Sequence, residues 1–164
     1  MIQQKVFLIT SGAYVNSELA SDFGLLPTSF LPVGHKRLFE LQIELIKGFN
    51  GEKHISIPEN YELLDRDLKI LSKHSVQIFR SNSKISLKDS ILEFLNNKKL
   101  ESISEFYILH GDTLYSKLDF ATDFMYCNFT NMFYKWGNLQ EIIELCDSKF
   151  EGSIVSGYFS FKDI

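Results

Sequence analysis

Two short turns carry the residue types that nucleotide chemistry requires. The first is formed by Ser11, Gly12 and Ala13 and follows an apolar run near the start of the chain. A glycine-bearing turn after a first strand lets backbone N–H groups approach a phosphate. The second turn follows a later apolar run and contains a Gly-Asp pair that ends in Asp112. A carboxylate at the tip of such a strand can hold Mg²⁺ against that phosphate.

Each turn also has an ordinary structural interpretation. Small residues suit any turn between a strand and a loop. For the turn at Gly12, phosphate binding and a purely structural turn both stay open. Aspartate commonly closes turns through its side chain. For Asp112, the position at the carboxyl end of a central strand favours function, because open α/β sheets bind ligands there.

Other stretches could contribute to the same site. A helix is predicted to begin at Ser86. The N-terminus of this helix could bind an anion, or Ser86 could be an ordinary N-cap residue. Lys36 and Arg37 could contact phosphate, although such a pair more often begins a helix in solvent. The segment 123–136 is rich in aromatic residues that could stack on a sugar, and we favour a place in the core or an interface instead.

The four histidines lack the spacing of metal ligands. His110 lies at the end of a predicted strand, where we favour a hydrogen-bonded structural role. His35, His54 and His74 are scattered along the chain and are predicted to be surface or loop residues.

The order of these features resembles the sugar nucleotidyltransferases, also called nucleoside-diphosphate-sugar pyrophosphorylases. That family opens with a strand and a Gly-rich loop, followed by a segment of the form Pro-Lys-x-x-Leu-Pro-Val. Here the segment from Pro27 to Val33 has the sequence Pro-Thr-Ser-Phe-Leu-Pro-Val. The family's metal-binding strand ends in Gly-Asp, like Gly111 and Asp112, and its later strand beside the sugar is similar to residues 156–161.

The resemblance implies a fold, a reaction and a set of site residues. The fold is α/β, a Rossmann-like three-layer sandwich with a mostly parallel sheet, of the nucleotide-diphospho-sugar transferase type. The reaction is transfer of a nucleotidyl group from a nucleoside triphosphate to a sugar phosphate or similar phospho-acceptor, in surface polysaccharide biosynthesis. The implied catalytic residue and Mg²⁺ ligand is Asp112, the implied nucleotide-binding residues are Thr10, Ser11, Gly12, Ala13, Ser86 and Gly111, and the implied substrate-binding residues are Gly157 and Tyr158.

Two departures from the family pattern bear on activity. No basic residue occurs between residues 11 and 18, and Thr28 stands where the family has a lysine. Both cations would stabilise phosphate charge during transfer, so we expect transfer to be weak or absent even if a nucleotide binds. Two alternative functions stay open, a non-catalytic relative that binds nucleotide or sugar and a glycosyltransferase of the related fold.

Composition limits the classes of function. The net charge of −4 does not favour nucleic acid as a partner, and no apolar run approaches the ~20 residues of a membrane span. The start lacks a signal-peptide pattern, and Cys127 and Cys146 are interpreted as reduced thiols of a cytoplasmic protein. The oligomeric state stays open. Because the family continues past its later strand, residues 1–164 are expected to be a single domain from the N-terminal part of a longer protein.

An alternation of strands and helices must position these residues. Short apolar runs predict buried strands, and apolar residues at helical spacing predict helices between them. That order favours a mostly parallel sheet covered on both faces. The predicted strands are 5–10, 54–58, 76–79, 106–110 and 153–161, and the predicted helices are 38–49, 60–73, 86–97 and 139–146. A long loop with room for one helical turn is predicted at 11–28.

Overall fold

The computed structural model of the chain describes residues 4–99, 103–121, 123–129 and 153–162. Strands and helices alternate there, as the hydrophobic pattern predicts. The strands are β1 (Gln4–Thr10), β2 (Pro32–Val33), β3 (Lys36–Arg37), β4 (Glu52–Pro58), β5 (Val76–Ser81), β6 (Ile103–His110), β7 (Phe124–Phe129) and β8 (Ser153–Lys162). The helices are α1 (Ser17–Phe23), α2 (Leu38–Leu45), α3 (Asp65–Lys73) and α4 (Leu87–Lys98), and a 3-10 helix spans Thr28–Phe30.

The main sheet has the strand order β5-β4-β1-β6-β8-β7 among the described residues. Strands β5, β4, β1 and β6 are parallel, whereas β8 is antiparallel to both β6 and β7. The predicted α/β fold with a mostly parallel sheet is therefore confirmed. The chain moves outward from β1 through β4 to β5 and then returns to place β6 on the other side of β1. Such a reversal is a topological switch point, where open α/β sheets form a crevice at the carboxyl ends of their strands.

Strand β1 lies at the centre of the core because both of its faces are covered. Phe7 and Ile9 belong to one apolar cluster, and Val6 and Leu8 belong to the other. A strand buried on both faces needs apolar residues at successive positions, which is why this run does not alternate. The first cluster includes residues of α2, α3 and their flanks, and the second includes residues of α4: Phe39, Ile43, Ile46, Phe49 and Leu71 in the first, Phe94 and Leu95 in the second.

The helix predicted over residues 60–73 begins later, at Asp65. Its expected first turn is held in a loop by Arg80, whose guanidinium donates to the carbonyl oxygens of Glu59 and Tyr61 at 2.8 and 3.0 Å. Glu59 N also donates to Ser81 O at 2.9 Å, so contacts with β5 hold this stretch of backbone outside the helix. The prediction failed because this partner lies on the next strand.

The predicted long loop at residues 11–28 contains α1, whose seven residues exceed the one helical turn that the sequence allowed there. Asn16 caps it, since its side-chain oxygen accepts a hydrogen bond from Leu19 N at 2.9 Å. This cap is a local signal that a search for apolar periodicity overlooks. The predicted helix over residues 139–146 lies outside the described residues. No helix in the described ranges has both the length and the apolar character needed to cross a membrane.

His54 is a buried residue of β4, which corrects its predicted place on the surface or in a loop. It is 2% exposed, its Nε2 lies 3.1 Å from Glu52 Oε2, and its ring packs against Phe94. Burial lowers the pKa of His54 below its ordinary value, and the charge of Lys98 lowers it further, while Glu52 opposes both effects. The prediction failed because a neutral imidazole with one polar partner fits an apolar layer.

Candidate functional site

The two turns singled out by the sequence lie side by side at the carboxyl edge of the sheet. Strands β1 and β6 are parallel neighbours, and Thr10 is the register partner of His110. Just beyond the strands, Gly111 N donates to Thr10 O at 2.8 Å. The predicted juxtaposition of the turn at Gly12 with Asp112 is thereby confirmed, and it falls at the switch point of the sheet.

A chain of buried serine side chains joins these turns. Ser11 N donates to Ser56 Oγ at 3.0 Å, and Ser29 N donates to Ser11 Oγ at 2.9 Å. Ser29 Oγ then donates to Gly111 O at 3.0 Å. We call Ser56, Ser11 and Ser29 the serine chain. Each of its members is at most 1% exposed, so each hydrogen bond forms away from water, where an unmade one would be costly.

Gly111 is required by close packing between the turns. A Cβ built on it would lie 2.5 Å from Thr10 O and 2.5 Å from Thr28 Oγ1. It would also lie 2.8 Å from Ser29 Oγ. Any side chain at this position would therefore push the turn that carries Asp112 away from β1 and the 3-10 helix.

A cavity of about 100 Å³ opens beside the first turn. Its walls come from the ends of β1, β4 and β5, from the 3-10 helix and from the start of α4. It is smaller than the 300–1,000 Å³ typical of a whole-ligand site, so it fits one part of a ligand. The described residues that line it are all uncharged: Thr10, Gly12, Ala13, Thr28, Ser56, Ser81, Asn82, Ile85, Ser86, Leu87 and Ser90.

The structure brings most of the predicted nucleotide-binding residues to this cavity. Thr10, Gly12, Ala13 and Ser86 line it, whereas Ser11 is buried behind it in the serine chain. Gly111 and Asp112 do not line the cavity, but Thr10 and Thr28, which do, have atoms close to Gly111. That these residues bind a nucleotide stays a prediction.

Ser86 is the N-cap of α4, as predicted. Its Oγ accepts a hydrogen bond from Asp89 N at 3.1 Å and donates to Asp89 Oδ2 at 2.7 Å. The cap satisfies one of the unpaired N–H groups at the start of the helix. The neighbouring carboxylate of Asp89 already occupies the positive end of the helix dipole, which weakens this end as an anion site.

Asp112 is exposed at the sheet edge. Thr113 Oγ1 donates to its Oδ1 at 3.1 Å. The neighbouring His110 is largely buried, which lowers the pKa of its ring, and the negative charge of Asp112 opposes that effect. The described part of the chain contains no group of three or more His, Cys, Asp or Glu side chains placed to hold a metal ion. Asp112 is therefore a single carboxylate ligand at most within these residues.

The two predicted substrate-binding residues differ in their placement. Gly157 has a φ of +83° and lies against the Asp112 turn, since a Cβ there would be 2.8 Å from Thr113 Oγ1. Tyr158 is fully buried in the core, and its hydroxyl donates to Asp119 O at 2.7 Å. A side chain in that position supports the strand and does not face the cavity.

Lys36 and Arg37 are both held in ion pairs. Lys36 Nζ lies 2.6 Å from Glu44 Oε1, and Arg37 Nη1 lies 2.8 Å from Asp67 Oδ2. Asp67 is fully buried, which raises its pKa, and the guanidinium of Arg37 opposes that rise. The guanidinium also lies 5.7 Å from the centre of the Phe30 ring, within cation–π range. Neither cation lines the polar cavity.

A larger cavity of about 610 Å³ lies between α4 and strands β6 and β8. Its lining is mainly apolar, with Ile91, Phe106 and Phe159 among the wall residues, and it also includes His110 and the charged residues Lys88, Asp123 and Lys162. Apolar walls offer few hydrogen bonds to a base or a ribose. The smaller cavity is therefore the better match for a nucleotide.

Sequence reasoning missed several residues of the polar cavity. Ser56 and Ser81 lie near or at the carboxyl ends of β4 and β5, next to the site on β1. A polar residue near the end of each parallel strand is a signal that could have found them, because these ends share one edge of the sheet. Thr28 was noted only for the missing lysine, yet it lines the cavity as well.

Comparison with known proteins identifies the fold. No protein-family model and no curated protein matches the sequence. The nucleoside-diphosphate-sugar pyrophosphorylase from Vibrio cholerae RC9 superposes with a TM-score of 0.60 at 10% identity, over 96% of this chain and 72% of that chain. The chain therefore has the same α/β fold as that pyrophosphorylase.

A second solved structure matches less well. The cytidylyltransferase from Leptospira borgpetersenii serovar Hardjo-bovis (strain JB197) is 22% identical, with a TM-score of 0.40 over 68% of this chain. The present chain spans 42% of the length of that protein. The fold assignment depends on the pyrophosphorylase, whose TM-score is 0.60.

Proposed function

We propose that this chain is a nucleotidyltransferase-like domain that transfers a nucleotidyl group from a nucleoside triphosphate to a sugar phosphate or similar phospho-acceptor. The observation that carries the proposal is the hydroxyl-lined cavity beside the Asp112 turn, at the switch point of a fold shared with a sugar pyrophosphorylase. In this reaction an acceptor phosphate oxygen attacks the α-phosphorus in line and pyrophosphate leaves. The proposal includes a cytoplasmic location and a role in surface polysaccharide biosynthesis.

The cavity takes the uncharged part of the nucleotide in this proposal, so the turn at Gly12 contacts the base or ribose and not the phosphate that the sequence pattern suggested. Thr10 Oγ1 donates its proton to Leu109 O and can still accept a hydrogen bond, whereas Ser56 Oγ accepts from Ser11 N and can still donate, so these hydroxyl groups suit a base or a ribose. The volume also suits a fragment of that size better than a whole nucleotide. The phosphates then extend out of the cavity toward Asp112.

Asp112 holds Mg²⁺ in this proposal. Magnesium is commonly bound by one or two carboxylates together with substrate phosphates and water, so one exposed carboxylate fits an ion that arrives with the triphosphate. The bound ion would neutralise phosphate charge. The residues of this chain contribute by positioning the reactants. The cavity holds the base or ribose, and the closely packed turn at Gly111 fixes the location of the Asp112 carboxylate.

Transfer is expected to be weak compared with binding, and a complete absence of transfer would favour the alternative of a non-catalytic relative. Lys36 and Arg37, which lie near Thr28 in sequence, are paired with Glu44 and Asp67. A preorganised charge partner at the reacting phosphate can be worth ~10²–10³ in rate. Binding of a nucleotide needs fewer positively charged groups than transfer does. We therefore expect the chain to bind a nucleotide more readily than it transfers one.

Binding is tested by calorimetric titration of the chain with each of the four nucleoside triphosphates, with and without Mg²⁺. Asp112→Ala should keep the fold and lose the Mg²⁺-dependent part of the affinity. Glu93→Ala, at an exposed position in the middle of α4, is the matched control and should bind like the wild type. Equal Mg²⁺-dependent binding by the wild type and Asp112→Ala would rule out the metal role.

Transfer is tested by a pyrophosphate-release assay with the four triphosphates and a panel of sugar 1-phosphates. Binding without release of pyrophosphate would favour the alternative of a non-catalytic relative, for which the uncharged cavity lining is the supporting observation. Rapid turnover would contradict our expectation and would show that another group has replaced the missing cations.

A further inference from the structure

Gln42 is a buried residue of α2 whose side-chain amide is directed at one turn. It has no exposed surface, and its Nε2 lies 3.0 Å from His110 O, 3.3 Å from Gly111 O and 2.8 Å from Thr113 O. All three acceptors belong to the turn that carries Asp112. A helix side chain thus binds a turn about seventy residues further along the chain, at the carboxyl edge of β6.

The orientation of this amide follows from its surroundings. The opposite rotamer would place Oε1 against three carbonyl oxygens, which repel it, so Nε2 must face the turn. Gln42 Oε1 is then one of the two buried side-chain oxygens without a hydrogen-bond partner in the described ranges. A buried oxygen without a hydrogen-bond partner lowers stability. The orientation of the amide that lets Nε2 bond to the turn is the one that leaves Oε1 without a partner.

The same turn is held from its other sides. Ser29 Oγ donates to Gly111 O at 3.0 Å, and Gly111 N donates to Thr10 O at 2.8 Å. Gly157 of β8 approaches Thr113 closely. With its neighbours bonded inward, Asp112 is left exposed at the edge of the sheet.

We propose that Gln42 is a positioning residue that fixes the turn at residues 110–113 so that the Asp112 carboxylate meets the metal and phosphates of a nucleotide held in the polar cavity. This inference rests on the proposed function. Gln42 does not line the cavity itself, so its loss should affect the metal-dependent part of binding and spare the part that depends on the base or ribose.

Gln42→Met is the variant that tests this role. Methionine keeps the length and most of the volume of glutamine but has no donor for the three carbonyl oxygens. Gln77→Met, at an exposed position of β5, is the matched control. Ser29→Ala removes one bond to the same turn and serves as a second, milder variant should Gln42→Met fail to fold.

The first measurement is amide hydrogen exchange, which does not depend on any ligand. Gln42→Met should reduce protection of the Gly111 and Thr113 amides by at least tenfold, while the amides of β1 that pair with β4 keep theirs. Ser29→Ala should have a smaller effect in the same place. Unchanged protection of the turn in a folded Gln42→Met protein would refute the positioning role.

The second measurement is calorimetric titration with the four nucleoside triphosphates, with and without Mg²⁺. Gln42→Met should weaken Mg²⁺-dependent binding at least tenfold and change metal-free binding by less than twofold. An equal loss of affinity with and without Mg²⁺ would overturn the inference. Unchanged affinity in a variant whose turn has lost its protection against exchange would also overturn it. A wild-type chain that binds no triphosphate would refute the proposed function and the functional half of this inference, and the exchange experiment would still decide whether Gln42 fixes the turn.

Discussion

Gly111→Ala is the substitution whose effect on stability follows most directly from the packing of the site. The new Cβ would lie 2.5 Å from Thr10 O and 2.5 Å from Thr28 Oγ1, whereas ordinary contacts begin near 3.4 Å. Since one of these atoms belongs to the backbone of β1, the turn must move, by roughly half an ångström or more, to relieve the overlap. The movement would also lengthen the hydrogen bond from Gly111 N to Thr10 O.

The size of the effect can be worked out from these changes. Overpacking of this kind costs about 1–3 kcal/mol. A weakened hydrogen bond lowers the free energy of unfolding by up to about 1 kcal/mol. The lower conformational entropy of the unfolded chain with alanine raises it by a similar amount, so these two effects cancel. We therefore expect Gly111→Ala to lower the free energy of unfolding by about 1–3 kcal/mol. For a chain of this size, that corresponds to a fall in Tm of about 2–12 °C.

Gly12→Ala is the matched control because it adds the same methyl group at the neighbouring turn. Its Cβ would lie 3.4 Å from Ser81 Cβ and 3.5 Å from Ser56 Oγ, which are ordinary contacts. We expect it to be neutral or to stabilise the fold by up to about 1 kcal/mol, and to weaken nucleotide binding because it narrows the cavity. Urea unfolding followed by circular dichroism measures both variants. Equal stability of the two variants would refute the close approach at Gly111.

Three further predictions concern other parts of the fold. Because burial lowers the pKa of His54, the unfolded chain binds a proton at this residue more tightly than the folded chain does. The free energy of unfolding should therefore be at its full value above the ordinary pKa of 6.5 and decline as the pH falls below it. Urea unfolding measured across that pH range should show a smaller decline for His54→Phe than for the wild type. Arg37→Met leaves the buried carboxylate of Asp67 without its partner and should cost about 3–5 kcal/mol in urea unfolding, most of which the added substitution Asp67→Leu should recover. Ser86→Ala removes the N-cap of α4 and should cost about 1 kcal/mol by the same measurement, and a cost near zero would show that the cap adds nothing.

The parts of the site that depend on local sequence were predictable. Apolar runs identify β1 and β6, and parallel strands bring their carboxyl ends to one edge, so the meeting of Gly12 and Asp112 followed from the order of elements. The N-cap at Ser86 was predictable for the same reason, since a cap and its partner are three residues apart.

The parts that depend on partners distant in sequence were not predictable. Ser29 and Ser56 are small polar residues whose types alone indicate nothing, and their roles depend on which segments the fold brings together. The ion pair of Arg37 with Asp67 spans thirty residues of sequence and fixes a side chain that looked available for phosphate. Gln42 was overlooked because a polar residue on a helix is normally assigned to its solvent face.

The serine chain has a consequence for how binding experiments on this protein can be interpreted. Its links are hydroxyl and peptide groups, none of which titrates between acidic and mildly alkaline pH or interacts strongly with dissolved ions. The spacing between the two turns should therefore stay the same when buffer or ionic strength is changed. A change in nucleotide affinity with added salt then reports on the phosphates, the metal and Asp112, because only charged groups are screened. Salt titration would thus separate the charged end of the proposed nucleotide ligand from its uncharged end without any mutation.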